Sequence, residues 1–269
     1  MSRFLSRLQT FLLPLRMVVL LGRGWFFSKE RIRILVQSYR VLWGALRGRR
    51  HQERITLYFK GVPFSVVCED AVDFALIREV FIDEEYRHVP ISNANVIVDV
   101  GANVGVASVY FHLLYPNAVI YSLEPNSALH DKFSKNTKDI SQIHLLPYLI
   151  GAEDGEGTLH VHATSSLGSS TYPRHGTQAT VVPSRRLSTL MKELSVSQAD
   201  LVKFDIEGAE AQMFAQEIDR KMARYAIGEA HFDLMGITEP QFLGLFREGS
   251  ARVVRRVGGA RAIVYIDQS

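Results

Sequence analysis

Five carboxylates, one imidazole and one glycine-bearing turn carry the chemistry in this 269-residue sequence. The turn reads Val98-Asp99-Val100-Gly101-Ala102-Asn103-Val104-Gly105. Gly101 lets a chain leave a strand sharply and lets backbone approach a ligand. Gly105 opens a helix, whose first N–H groups attract negative charge. Asp99 is expected to brace the loop by accepting its N–H bonds. Glu124 follows Gly105 by 19 residues and closes the next apolar run, where a carboxylate can accept hydrogen bonds from both hydroxyls of a ribose. The spacing is G-x-x-x-G, not the G-x-G-x-x-G of dinucleotide binders, and no Gly-Lys-Ser/Thr follows to make a P-loop. Taken with Glu124, the turn implies an adenosine-containing ligand with free 2′ and 3′ hydroxyls.

A second set stands further along. Asp205 and Glu207 follow the apolar run 201–204, and a carboxylate at such a strand end is costly to bury without a role. Glu207 also suits a helix start, and Glu210 reads as a solvated helix residue. Glu229 and His231 lie two apart and so share a strand face. Either Asp205 or His231 can act as a general base near neutral pH. A metal-assisted route through Asp205, Glu207 and Glu229 is the alternative, although the pattern assigns no metal ligand. His160 and His162 have no third partner and read as exposed strand positions.

Strands and helices must position these groups. Short β-rich runs at 55–59 and 64–67 flank Gly61 as a hairpin. Asp70 caps a helix, with Asp73 completing a capping box. From residue 96 apolar runs alternate with helical periodicity. Strands are expected at 96–100, 118–123, 144–150, 158–162, 201–204 and 226–230. Helices are expected at 104–115, 126–138, 187–194, 209–216 and 240–246, and a closing hairpin at 252–257 and 261–266. The fold class is therefore α/β, with a mostly parallel central sheet covered by helices and a C-terminal antiparallel hairpin. Ligands bind such folds beyond the C-terminal strand ends, at the topological switch point. Residues 163–180 are rich in Ser, Thr, Gly, Pro and Tyr. They read as a polar loop that suits an acceptor lid, with Tyr172, Arg174 and His175.

Composition bounds the rest. A chain with 47% hydrophobic and 22% charged residues is globular, not disordered or collagenous. Cys68 is the one cysteine, so there is no intrachain disulfide and no cysteine-based zinc site. This fits a reducing, cytoplasmic location. Residues 1–54 hold 12 Lys/Arg against 2 Asp/Glu, and the other 215 hold 19 against 26. The net +3 thus hides a basic arm on an acidic body, and no nucleic-acid partner is expected. The longest uncharged stretch in the arm, 8–15, is too short to span a bilayer. Ser28 caps a helix whose Ile32, Leu35, Val36, Tyr39, Leu42, Trp43 and Leu46 form a stripe beside Arg33, Arg40 and Arg47. Such a basic amphipathic helix suits an anionic membrane surface or a protein partner, or it packs on the body of this chain or of a sister subunit. Three domains follow: a helical arm at 1–54, a hairpin and helix lead-in at 55–95, and a ligand-binding domain at 96–269.

The blocks from Val98 to Gly105 and from Lys203 to Glu210 resemble those of the FkbM-type methyltransferases. Glu124-Pro125-Asn126, Asn136, Ser165-Ser166-Leu167 and the Arg78–Tyr86 lead-in are similar as well. The resemblance runs from about residue 56 to 232. It implies a Rossmann-like class I fold and S-adenosyl-L-methionine as cofactor. Gly101, Asn103 and Gly105 would hold its methionine end and Glu124 its ribose, with Asp99 and Asp205 also among the cofactor-binding residues. Asp205 and Glu207 would border the methyl-transfer site. It also implies O-methylation of a sugar, glycan or secondary metabolite. The stretch Arg186-Leu187-Ser188-Thr189-Leu190 lacks the acid pair common there, and the arm lies outside the resemblance. Against this stand a nicotinamide-dependent oxidoreductase, a cofactor-binding protein without catalysis, and a docking module whose function is the arm.

Overall fold

The computed structural model describes residues 2–22, 28–49, 51–162, 170, 173 and 176–269. They form two compact units, Met1–Glu85 and Tyr86–Ser269. The arm, the hairpin and the following helix thus belong together, where the sequence suggests separate segments.

The first unit opens with two helices, α1 (Ser2–Leu21) and α2 (Lys29–Leu46). The first lies within the arm expected to be helical and carries Pro14 inside it. Ser28 caps α2 by accepting from the Arg31 N–H, as its sequence predicts. The strands β1 (Glu53–Phe59) and β2 (Val62–Cys68) pair antiparallel across Lys60-Gly61. Both turn residues have positive φ, 48° and 83°, the backbone a two-residue hairpin demands. The helix α3 (Ala71–Ile77) carries the expected Asp70/Asp73 capping box and runs into a π-turn at Arg78–Ile82. The face that α2 buries is Ile34, Ser38, Val41 and Leu42, while Ile32, Val36, Trp43 and Leu46 are exposed. The stripe read from periodicity is therefore largely the outer face. With apolar residues on both sides of the helix, periodicity alone could not choose. Among the described residues no helix is long and apolar enough to cross a membrane.

The second unit alternates strands and helices. Its elements are β3 (Val96–Val100), α4 (Val106–Leu114), β4 (Val119–Leu123), α5 (Ser127–Thr137), β5 (Ile143–Leu146), β6 (Leu149–Ile150), β7 (Gly155–His162) and β8 (Thr177–Arg185). There follow α6 (Leu187–Glu193), β9 (Ala199–Phe204), α7 (Glu210–Met213), α8 (Glu217–Arg220), β10 (Ala223–His231), α9 (Phe232–Met235), α10 (Glu239–Leu243), β11 (Ala251–Gly258) and β12 (Arg261–Asp267). The main sheet has the order β11-β12-β10-β9-β3-β4-β5. Neighbours from β10 to β5 are parallel, and β12 is antiparallel to both β10 and β11. The central strands are apolar on both faces because helices cover both, and Phe204, Phe214, Phe242 and Phe246 pack edge to face in that core.

Within the second unit the structure departs from the sequence expectation most between residues 144 and 180. The strand expected at 144–150 breaks at Pro147, which cannot donate to a ladder. Its first half joins the main sheet, and its second pairs with β8 in a separate β6-β8-β7 sheet. Thr177–Thr180, expected as loop, lies in β8 and pairs with β7. The Ser165-Ser166-Leu167 motif and Tyr172, Arg174 and His175 lie outside the described residues.

Candidate active site

The order of strands reverses between β3 and β9, since β3 leads outward to β4 on one side and β9 outward to β10 on the other. The crevice at such a switch point is where an open parallel sheet binds ligands. The turn after β3 and the residues after β9 meet there. Asp205 N–H donates to Val100 O at 3.1 Å. Gly101 has φ +77°, and a Cβ on it would stand 2.0 Å from Asp205 O. Only glycine permits this approach of two strand ends.

Glu124 is drawn into the turn. Its Oε2 accepts from Asn103 N–H and its Oε1 from Asn126 N–H, both at 2.9 Å. Burial pushes the Glu124 carboxyl up to about 7, against the pull of those two donors and of Lys203. Asn103 has φ +51°, and its Oδ1 is buried without a hydrogen-bond partner. Asn136 Nδ2 donates to Val104 O at 2.7 Å and anchors the far side of the turn. Gly105 caps α4.

Asp99 behaves differently from expectation. Its side chain is fully buried and accepts no N–H of the turn. It accepts instead from Ser108 Oγ at 2.6 Å and pairs with Lys203 Nζ at 3.1 Å. The parallel register sets Asp99 beside Lys203 on the adjacent strand. Lys203 Nζ also donates to Gly101 O at 2.8 Å. Asp99 therefore supports the turn from beneath, through Lys203, while Glu124 takes the loop amide. The sequence reading missed Lys203. Its place within the Lys203–Glu210 block was visible, but the register that brings it under the turn was not.

Asp205, Glu207, Glu229 and His231 converge at the ends of β9 and β10. His231 Nε2 lies 3.5 Å from Glu207 Oε2, 3.7 Å from Glu229 Oε1 and 3.9 Å from Asp205 Oδ1. On the other side of the ring, Nδ1–H donates to Glu210 Oε1 at 2.7 Å. Glu210 is 0% exposed and also accepts from Gly208 N–H, so it is no solvated helix residue. One turn of helix, α7, directs it inward. Burial depresses the His231 pKa, yet the Glu210 bond and the charges of Glu210, Asp205 and Glu207 outweigh it and raise the pKa to about 9. Ser170 Oγ donates to Glu207 O at 2.8 Å.

The glycine-bearing turn and the acid–imidazole cluster share one switch point of a Rossmann-like sheet, and that sheet is the fold of class I methyltransferases. The fibrillarin pre-rRNA processing protein of Methanococcus jannaschii superposes on 81% of the chain and 84% of its own length, with a TM-score of 0.50 at 9% identity. The methyltransferase FkbM domain matches residues 99–245, and the chain belongs to that family. It is 28% identical over 173 residues to Methyltransferase 1 of Beauveria bassiana and 25% identical over 171 residues to Methyltransferase sdnD of Sordaria araneosa. These matches cover 55% and 51% of the chain, and 69% and 66% of the two relatives.

Proposed function

We propose that this methyltransferase uses S-adenosylmethionine to O-methylate a hydroxyl of a small molecule or glycan. The observation that carries the cofactor is Glu124 at the lip of the 101–105 turn, beside the unpartnered Asn103 Oδ1. Glu124 still has lone pairs to accept a ribose diol, and Asn103 Oδ1 can accept from an ammonium. Gly101 lets the Asp205 carbonyl close against the turn, so the two strand ends that border the crevice stay together. These features fit the cofactor, so Gly101, Asn103 and Gly105 would hold its amino-acid end and Glu124 its ribose. When bound, the cofactor supplies a methyl group on a reactive sulfonium.

The protein's task is then mainly alignment. Asp205 and Glu207 border the crevice and orient an acceptor hydroxyl. The Asp205 carboxylate takes the hydroxyl proton as oxygen becomes the nucleophile. His231, held by Glu210 through Nδ1, orders the carboxylates around it. This assigns the base to Asp205, of the two residues the sequence offered.

Calorimetric titration with S-adenosylhomocysteine tests the reading. Micromolar binding is expected, weakened at least tenfold by Glu124→Ala (about 1.4 kcal/mol), with none for NAD. Binding of NAD instead would restore the oxidoreductase reading.

A further inference from the structure

We propose that Asp205, Glu207 and His231 form a binding site for one divalent cation, with Mn2+ the best match. The ligand atoms of these residues all lie within 4.8 Å of one another. The imidazole is the informative member. It is 1% exposed, its Nδ1 is fixed by the buried Glu210 carboxylate, and its Nε2 makes no hydrogen bond among the described residues. That nitrogen instead faces carboxylate oxygens at 3.5–3.9 Å. Such spacings are long for direct N–H···O bonds, which run about 2.7–3.2 Å. They fall within the roughly 3.0–4.2 Å that separates ligands held about 2.1 Å from a common ion. A histidine whose far nitrogen donates to a carboxylate is the usual second half of a metal-bound imidazole. Asp205 follows β9 directly, Glu207 sits in the turn beyond it and His231 ends the adjacent β10, and their ligand atoms already lie within 4.8 Å of one another. Two oxygens and one nitrogen, with room for water or an acceptor hydroxyl, suit a divalent ion that takes mixed O/N ligands. Resting on the proposed function, the ion would hold the acceptor oxygen as its proton leaves to the second oxygen of Asp205.

The test is titration of MnCl2 into the full chain after EDTA treatment, followed by calorimetry and by the EPR signal of free Mn2+. One ion per chain at micromolar affinity is expected. Glu207→Gln and His231→Asn should each weaken it at least tenfold, while S-adenosylhomocysteine binding persists without metal. Saturation absent below about 1 mM, or binding indifferent to both variants, overturns the site. If His231→Asn does not fold, Glu207→Gln decides alone. A chain that binds Mn2+ but not S-adenosylhomocysteine would keep this site and remove the cofactor reading instead.

An independent observation lies on the first unit. On α2, Ile32, Val36 and Trp43 follow one face at intervals of four and seven, with Leu46 a turn beyond, and all are 46–59% exposed. Lys29, Arg33, Arg40 and Arg47 run beside them at intervals of four and seven. The core side of the helix is the opposite one, so this apolar row is not needed for folding the unit. On α1, Leu12, Leu15, Val19 and Leu20 are exposed as well. The structure assigns this face to the surface of an anionic bilayer. An apolar row flanked by a basic row fits the boundary between acyl chains and anionic headgroups, and the +10 of residues 1–54 complements that charge. Flotation of the full chain with vesicles containing phosphatidylglycerol is the test. Binding is expected at low salt, reduced at high salt, absent with phosphatidylcholine alone and lost in Val36→Asp. Equal binding to neutral vesicles overturns it. A dimer that Val36→Asp dissociates, with no vesicle binding, also overturns it and gives the face to a second copy.

Discussion

Lys203→Met should unfold the second unit at much lower denaturant concentration and loosen its ligand turn. Lys203 is 2% exposed, and its ammonium lies 3.1 Å from the buried Asp99 carboxylate. Methionine keeps most of the side-chain volume, so the loss is electrostatic. Asp99 would retain only the Ser108 hydroxyl at 2.6 Å. Removing one partner of a buried ion pair costs about 3–5 kcal/mol, since the remaining charge is left uncompensated. For a unit of this size that corresponds to a fall in Tm of roughly 6–20 °C. The assay is urea unfolding followed by far-UV circular dichroism. The double variant Asp99→Asn/Lys203→Met removes both charges and should recover at least about 1 kcal/mol relative to the sum of the single losses. Lys203 also holds the Gly101 carbonyl at 2.8 Å. S-adenosylhomocysteine affinity should therefore fall in Lys203→Met even where the protein is fully folded. A single-variant loss below about 1 kcal/mol, or two single losses that merely add, would refute the idea that this pair supports the turn.

Three further outcomes follow from the same geometry. Gly101→Ala places a methyl group against Asp205 O in a left-handed backbone and should reduce S-adenosylhomocysteine binding at least tenfold by calorimetry, with β3 and β9 forced apart. Glu124 should make that binding pH-dependent. Its folded pKa of about 7 lies above the ordinary 4.5, so the unliganded protein loses stability as pH rises from 4.5 through 7, whereas a hydroxyl-donating ligand favours the ionised form. Affinity should rise about tenfold between pH 6 and pH 8, as the ionised fraction does, and Glu124→Gln should flatten that profile. Glu210→Gln keeps the volume beneath His231 but removes the charge. It should cost about 1–3 kcal/mol in thermal melting and leave S-adenosylhomocysteine affinity within about twofold.

The sheet was readable because its strands are continuous apolar runs and its helices carry caps, so Asp70, Asn126 and Ser28 each sit where their side chains accept a backbone N–H. The turn and Glu124 were readable for the same local reason: glycine, spacing and a strand-end acid all lie within one strand–helix–strand unit. What local sequence does not contain is register and the direction of short elements. Lys203 and Asp99 are 104 residues apart, and only the pairing of β3 with β9 makes them neighbours. Glu210 looks like any acid on an amphipathic helix, yet α7 is a single turn that points it at His231. On α2 the apolar residues outnumber the positions available to the core, so burial was decided by packing against α1 and β1 and not by the stripe itself. In each case the sequence names the chemical group, and a contact between distant segments decides what that group does. His231 follows the same logic: its position at the end of β10 beside Glu229 was legible, but the approach of Glu210, Asp205 and Glu207 to its ring belongs to the folded state alone.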